Sequence, residues 1–273
     1  MMKPAPFTYH RARDVAGAIS LLAELGEDAK YIAGGQSLVA MMNFRLARPA
    51  HLVDLTGLRG ELAYLREEDG ALRVGALTTH HEVERAPLGP GFAVLREAME
   101  WVGHLPIRTR GTVGGSLAHG DATAEWCMLA LLLGAEVVVQ GAGGRRRVPA
   151  EELFLGFYST TLAPEELIVE VVFPRPAPRA VLTEHAERRG DFATVAAAVD
   201  LDAHRVVLGG VGPAPLRVPE AEAVLAGGGT FAECAAAAAA AIDPPSDGNG
   251  SSAYRRVLTR TLLVRACEEA MTR

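Results

Sequence analysis

Along the first 55 residues the apolar positions alternate between helical and extended spacing. Val15, Ala18, Ile19, Leu22 and Leu25 recur at helical intervals, which predicts an amphipathic helix over 11–25. Asp14 can support its start and Gly26 ends it. The short run Ala29-Lys30-Tyr31-Ile32 predicts a strand, and Leu38 to Leu46 a helix that Pro49 terminates. His51 to Leu55 reads as a further strand. Helix, strand, loop, helix and strand make a small α/β unit over 1–57.

A second unit, 58–175, changes character. Ala63-Tyr64-Leu65 and Leu72 to Ala76 flank Glu68-Asp69-Gly70, the pattern of a hairpin. Phe92 to Val102 predicts a helix leading to a glycine-rich loop, Arg108 to Ser116. Ala124 to Leu133 predicts a helix stopped by Gly134, followed by strand Glu136 to Gln140. Phe154 to Thr161 reads as an aromatic-rich loop, and Glu166 to Phe173 as a strand. The proline cluster 174–178 marks a boundary. In the last unit, 177–273, Ala180 to Glu187, Thr194 to Leu201 and Arg205 to Val211 predict a three-stranded meander. Helices follow at Pro219 to Ala226, Thr230 to Ile242 and Ala253 to Glu269, with an alanine run at 235–241 that favours helix by propensity. The expected class is therefore α+β.

Composition narrows the function. The 273 residues are 49% hydrophobic and 22% charged, which suits a globular protein with a sizeable core. The net charge of −6 gives no basic footprint for nucleic acid. No run of about 20 apolar residues predicts a membrane span, and Met1 to His10 lacks the apolar core of a secretory signal. Three dispersed cysteines, Cys127, Cys234 and Cys267, form no CxxC pair and suggest a reducing, cytoplasmic setting. Three thiols are also too few for an iron–sulfur cluster, which takes about four.

The candidate chemistry lies in two similar stretches. Ala33-Gly34-Gly35-Gln36-Ser37 links a strand to a helix, with Ser37 at the N-cap position. Adjacent glycines let the backbone bend sharply and approach a ligand, and free N–H groups at such a turn make an anion nest. Thr112-Val113-Gly114-Gly115-Ser116 repeats the pattern on the second unit. Two nests converging on a pyrophosphate would neutralise it without a basic side chain. Neither stretch fits G-x-G-x-x-G or carries Gly-Lys-Ser/Thr, so dinucleotide-fold and P-loop readings are disfavoured. His80, His81 and His119 show no metal-ligand spacing and read as surface or loop histidines; Trp126 reads as core, and Phe154, Phe157 and Tyr158 as a core cluster or a cover.

These motifs, with Val74 to Thr79, Arg110-Gly111, Leu117-Ala118-His119, Ala124-Glu125-Trp126, Pro164 to Ile168 and Arg188 to Ala193, run in order along nearly the whole chain. Together they resemble the FAD-binding medium subunit of molybdenum hydroxylases of the carbon monoxide dehydrogenase and xanthine dehydrogenase type. The resemblance implies a two-part FAD domain of the vanillyl-alcohol oxidase (PCMH) type, then a domain with a three-stranded antiparallel sheet and helices. It implies a large subunit with molybdopterin, a small subunit with two [2Fe–2S] clusters, and a dimer of such heterotrimers. This chain would be the oxidoreductase component that passes electrons from those clusters through FAD to an external acceptor. By matching position, Ile32, Ala33, Gly34, Gly35, Gln36 and Ser37 with Thr112, Val113, Gly114, Gly115 and Ser116 would hold the pyrophosphate and ribityl chain. Glu125 and the backbone of Ile168 would contact the cofactor, and Asp191 and Phe192 would approach the isoalloxazine ring. Asp121 and Thr123 complete the set, and the resemblance assigns no catalytic or metal-binding residue. Gly35 and Gly114 are expected to face the phosphates.

The sequence departs from the family where His119-Gly120-Asp121-Ala122-Thr123-Ala124 stands for the usual His-Ala-Asp-Pro-Ala-Ala. A glycine for alanine and a lost proline should loosen this turn, and Thr123 is expected to cap the next helix. Many relatives carry histidine where Gln36 stands, and glutamine does not titrate, which predicts a positioning role. Asp191 reads equally as a ligand contact and as an ion-pair partner of Arg188. Two other readings stay open on the sequence: a stand-alone flavoprotein oxidoreductase, and a flavin-less assembly module on the same fold.

Overall fold

The computed structural model describes residues 3–273; Met1 and Met2, at the start of the first predicted unit, lie outside them. The chain forms three main sheets. In the first, the parallel strands Thr8–Arg11, His51–Asp54 and Ala29–Ile32 lie in that order. The helix Val15–Leu25 covers it. Asp14 caps that helix by accepting from the Gly17 N–H at 2.7 Å, and Gly26 ends it at φ +71°. The predicted stripe faces inward: Val15, Ala18, Ile19 and Leu22 are buried in one cluster with Val53 and Leu55.

The second sheet is antiparallel and five-stranded. Its order is Leu65–Glu68, Ala71–Gly75, Leu167–Phe173, Glu136–Gly141, Gly144–Pro149. All seven residues of the central strand are buried, because helices pack on one face and the first unit on the other. The Glu68–Gly70 turn is the predicted hairpin, with Asp69 and Gly70 both at positive φ. The Gly144–Pro149 edge carries Arg145, Arg146 and Arg147, which meet Gln140, Glu166 and Glu136. The arginine run is thus an edge strand, whose charges discourage further pairing.

The third sheet contains the predicted meander, Ala180–His185, Val195–Asp200 and Arg205–Gly209, extended by the two-residue edge strand Leu216–Arg217. The helices Phe231–Ala241 and Ser252–Met271 pack against each other and cover it. Thr230 and Glu233 form a capping box that starts the alanine-rich helix. Cys234 and Cys267, distant in sequence, meet as free buried thiols between these helices.

Three local expectations change. The stretch 92–102 is helical only over Ala93–Ala98, because the chain breaks into turns before Gly103 at φ +46°. The aromatic loop contains a small hairpin, Phe154–Gly156 with Ser159–Thr160. The second glycine stretch is a helix, Val113–His119, capped by the Thr112 hydroxyl, which accepts from Gly115 N–H at 3.1 Å. No helix among the described residues is long and apolar enough to cross a membrane.

Candidate functional site

The first glycine loop lies directly on the second. A Cβ at Gly34 would fall on the Arg110 carbonyl, 2.6 Å from its carbon and 2.9 Å from Gly111 Cα. Backbone cannot move aside as a side chain can, so only glycine allows the two loops this approach. Gly35 stands at φ +74°, and a Cβ there would lie 3.1 Å from Val39. On the facing element, a Cβ at Gly115 would come 4.0 Å from Ala33. Tyr31 reinforces the junction by donating to the Glu165 carbonyl at 2.9 Å.

The two stretches differ in what they can offer an anion. Among the described residues, the backbone N–H groups of Gly34, Gly35, Gln36, Ser37 and Leu38 donate to no protein acceptor. Free main-chain donors in such a run are available to an anion. Ser37 sits at the cap position of the helix Leu38–Asn43 but makes no capping bond, which leaves its hydroxyl available. Gln36 is exposed and folds back to donate to the Gly34 carbonyl at 3.1 Å, consistent with a positioning role. In the second stretch the N–H groups are already used. Val113 donates to Thr78, Gly114 to Ala76, and Ser116 to Thr112. Gly114 is buried, and a Cβ there would lie 2.6 Å from that of Ala76. Gly114 thus fits helix to sheet, and Gly115, exposed, is the glycine on the open side.

Beyond the second stretch, Gly120 ends the helix at φ +65° with its N–H on the Ser116 carbonyl. Asp121 accepts from the Thr123 N–H at 2.8 Å and from its hydroxyl at 2.7 Å. This Asx turn tightens the segment despite the missing proline. Thr123 is spent there and caps nothing; Ala124 occupies the N-cap of the helix Glu125–Leu132. Glu125 is half-buried overall with its carboxyl enclosed. Burial, then the nearby Asp121, raises its pKa to about 7. Ile168 lies buried in the central strand, beside a bulge whose Val169 carbonyl accepts from Ala76.

Asp191 and Phe192 lie on a separate turn. Arg188 Nε donates to Asp191 at 2.9 Å, the ion-pair reading, and Phe192 is 76% exposed. This turn packs on 103–104: a Cβ at Gly190 would lie 2.8 Å from the His104 ring. Phe157 and Tyr158 are likewise exposed, while Phe154 packs on the core. The His119 ring lies 4.9 Å from that of Tyr158 in a tilted arrangement, and Tyr158 holds φ +51°.

Some participants escape sequence reasoning. His80 is buried at the start of the helix His80–Arg85, where a surface or loop histidine was expected, and its Nδ1 accepts from Trp126 Nε1 at 2.9 Å. Trp126 itself is core, as predicted. Arg110 contributes only its backbone, and Ala76 forms the floor under Gly114; neither role has a residue-type signal. Glu184 is buried on the third sheet, within Coulombic reach of Glu125.

A seam lined by glycines, with five unengaged N–H groups on one side, suits a phosphorylated cofactor. Residues 5–176 match the family described as FAD binding domain in molybdopterin dehydrogenase, and 181–270 match the CO dehydrogenase flavoprotein C-terminal domain. The chain belongs to the FAD-binding medium subunits of the molybdenum hydroxylases, an oxidoreductase family. It is 41% identical over its whole length to the 6-hydroxypseudooxynicotine dehydrogenase complex subunit alpha of Paenarthrobacter nicotinovorans, covering 97% of that protein. It is 37% identical to the carbon monoxide dehydrogenase medium chain of Afipia carboxidovorans, covering 100% of this chain and 99% of that one. Among solved structures, it superposes on carbon monoxide dehydrogenase from Hydrogenophaga pseudoflava with a TM-score of 0.93, at 34% identity and 99% coverage of both chains.

Proposed function

We propose that this chain holds FAD in the seam between its two glycine stretches and relays electrons from partner [2Fe–2S] clusters to an external acceptor. The observation that carries this reading is the five-residue run of unengaged N–H groups, 34–38, laid against the Arg110–Gly111 backbone. In this reading Ile32 to Ser37 bind the pyrophosphate through main-chain donors. Thr112 to Ser116 shape the opposite wall, with Gly115 leaving room and Ser116 offering a hydroxyl. Asp121 and Thr123 fix the turn that places Glu125, the Ile168 backbone borders the ring system, and Asp191 and Phe192 sit at its outer edge. When bound, FAD supplies redox chemistry that no side chain of this protein can.

The relatives named as a complex subunit and a medium chain support partners for this chain as well. They fit a molybdopterin-binding large subunit and a [2Fe–2S] small subunit, in a dimer of heterotrimers in the cytoplasm. The three cysteines, all buried in the interior, are poorly placed to ligate a cluster. Co-expression with a molybdopterin-binding large subunit and a [2Fe–2S] small subunit from the same organism tests the reading. The expected product is a yellow-brown complex whose flavin is reduced when substrate is supplied to the large subunit. A chain that turns over a small-molecule donor while alone would refute the subunit role. A colourless chain that cannot be reconstituted would refute the flavin role.

A further inference from the structure

The first turn of the helix Ser252–Met271 carries a buried arginine. Arg255 is only 3% exposed, and a guanidinium that deep is costly unless its donors are matched. Its Nη1 donates to two main-chain carbonyls, that of Thr194 and, at 2.8 Å, that of Gly210. Its Nη2 donates to both carboxylate oxygens of Asp247, at 2.7 and 2.8 Å. Among the described residues no backbone N–H is bonded to either carbonyl, so the guanidinium is what satisfies them. The two carbonyls lie side by side, since a Cβ at Gly210 would fall 2.5 Å from the Thr194 oxygen.

Each carbonyl leads to a turn at the candidate site. Thr194 ends the link 186–194, which bears Asp191 and Phe192 and joins the strands Ala180–His185 and Val195–Asp200. The Thr194 N–H is tied to the His185 carbonyl at 2.8 Å. The Gly210 N–H donates at 3.3 Å to the Ala122 carbonyl, inside the Asp121–Thr123 turn that precedes Glu125. One planar fork thus grips the link of the third unit directly and the turn of the second unit through a single residue, Gly210. A guanidinium holds two acceptors at a fixed spacing because its N–H groups are rigidly arrayed, which a lysine ammonium cannot do. The bonds of Arg255 go to main chain and to Asp247, so any influence on Asp121, Thr123, Asp191 or Phe192 is exerted through the backbone.

We propose that Arg255 is a positioning residue for the bound flavin: through the Thr194 and Gly210 carbonyls it fixes the separation of the 121–123 turn and the 186–194 link, between which the ring system lies. This rests on the FAD reading above. Asp247 is the counterpart of Arg255 on the exposed loop 243–250. It neutralises the guanidinium and keeps it from pivoting, and it is itself held by the Asn249 N–H at 2.9 Å. Arg256, next in sequence, staples the same loop to the same helix through the Ile242 carbonyl, Asp243 and Ser252, but it bonds to neither turn. The run of free N–H groups at 34–38 belongs to the first unit, so loosening Arg255 disturbs the ring and largely spares affinity.

The test uses the FAD-loaded full chain with Arg255→Lys, Asp247→Asn and, for comparison, Arg256→Lys. The FAD dissociation constant, the visible flavin spectrum and the rate at which dithionite reduces the bound flavin in the absence of oxygen are measured for each. Arg255→Lys keeps the charge and loses the fork, and Asp247→Asn keeps the fork and loses its anchor. Both are expected to shift the flavin bands and to speed reduction severalfold, while the dissociation constant stays within about threefold of the wild type. Arg256→Lys, which weakens a staple between the same loop and helix, is expected to match the wild type in all three. If Arg255→Lys does not fold, Asp247→Asn, whose side chain is 45% exposed, decides the matter on the same readouts. Spectra and reduction rates of Arg255→Lys and Asp247→Asn equal to those of Arg256→Lys would overturn the proposal while leaving the FAD site standing. A wild-type chain that binds no FAD would overturn both.

Discussion

His80 shows how a single side chain is forced into one protonation state. Burial, with Arg108 nearby, pushes its pKa down to about 4, so the ring stays neutral and accepts from the Trp126 indole. The folded state binds this proton less readily than the unfolded chain does. The contribution to stability is therefore complete above about pH 6.5 and is lost as pH falls toward 4. Replacing His80 with alanine strands the buried indole N–H. Chemical denaturation at pH 7.5 should show a loss of about 1–3 kcal/mol, and the variant should lose less further stability on acidification. Gln36 makes the opposite case, since it is exposed and bears on no core. Gln36→Glu sets a negative charge beside the free N–H run of residues 34–38. Fluorescence titration should show FAD binding weakened about tenfold with the thermal midpoint of the apo chain unchanged. The sequence revealed Gln36 and its loop because glycine pairs are conspicuous. It concealed His80, whose partner stands 46 positions away.

At the scale of elements, the apolar periodicity found the helices and strands that have one buried face. The meander strands lie within a residue or two of the expected ends, and the first helix ends where expected but starts at Val15, four residues after the predicted start at 11. It missed the strand Thr8–Arg11, which is held by parallel pairing to the later strand His51–Asp54 and by no local pattern. It also read the second glycine stretch as a loop. Two glycines lower helix propensity, but the Val113 and Gly114 N–H groups are anchored to Thr78 and Ala76, and that distant support allows a helix. Close approach of elements leads to a sharp prediction at Gly34. An alanine there must push the first loop off the Arg110 carbonyl. Gly34→Ala should lose about 1–3 kcal/mol by denaturant titration and should retain little FAD, whereas Gly143→Ala, in open space, should retain it fully.

At the scale of the molecule, the site draws on parts that the sequence presents as separate. The paired motifs made the convergence of residues 33–37 with 112–116 legible. The burial of Glu184 was not, because such a glutamate carries no motif and meets Glu125 only in the fold. The lobes are tied by side-chain and backbone bonds. Arg255 bridges the Thr194 and Gly210 carbonyls within the third lobe, and Gly210 N–H reaches the Ala122 carbonyl on the second. At Gly34 itself two backbones lie flush, and the Tyr31 hydroxyl on the Glu165 carbonyl is the side-chain bond beside them. A ligand lodged there acts as a rivet between the lobes and stabilises the folded chain by mass action, about 2.7 kcal/mol at a hundredfold excess over its dissociation constant. Differences of that size govern how much of a protein escapes proteolysis in the cell. In the proposed reading, cofactor supply is therefore expected to raise the abundance of the chain, which a comparison of its level in flavin-limited and flavin-replete cells checks.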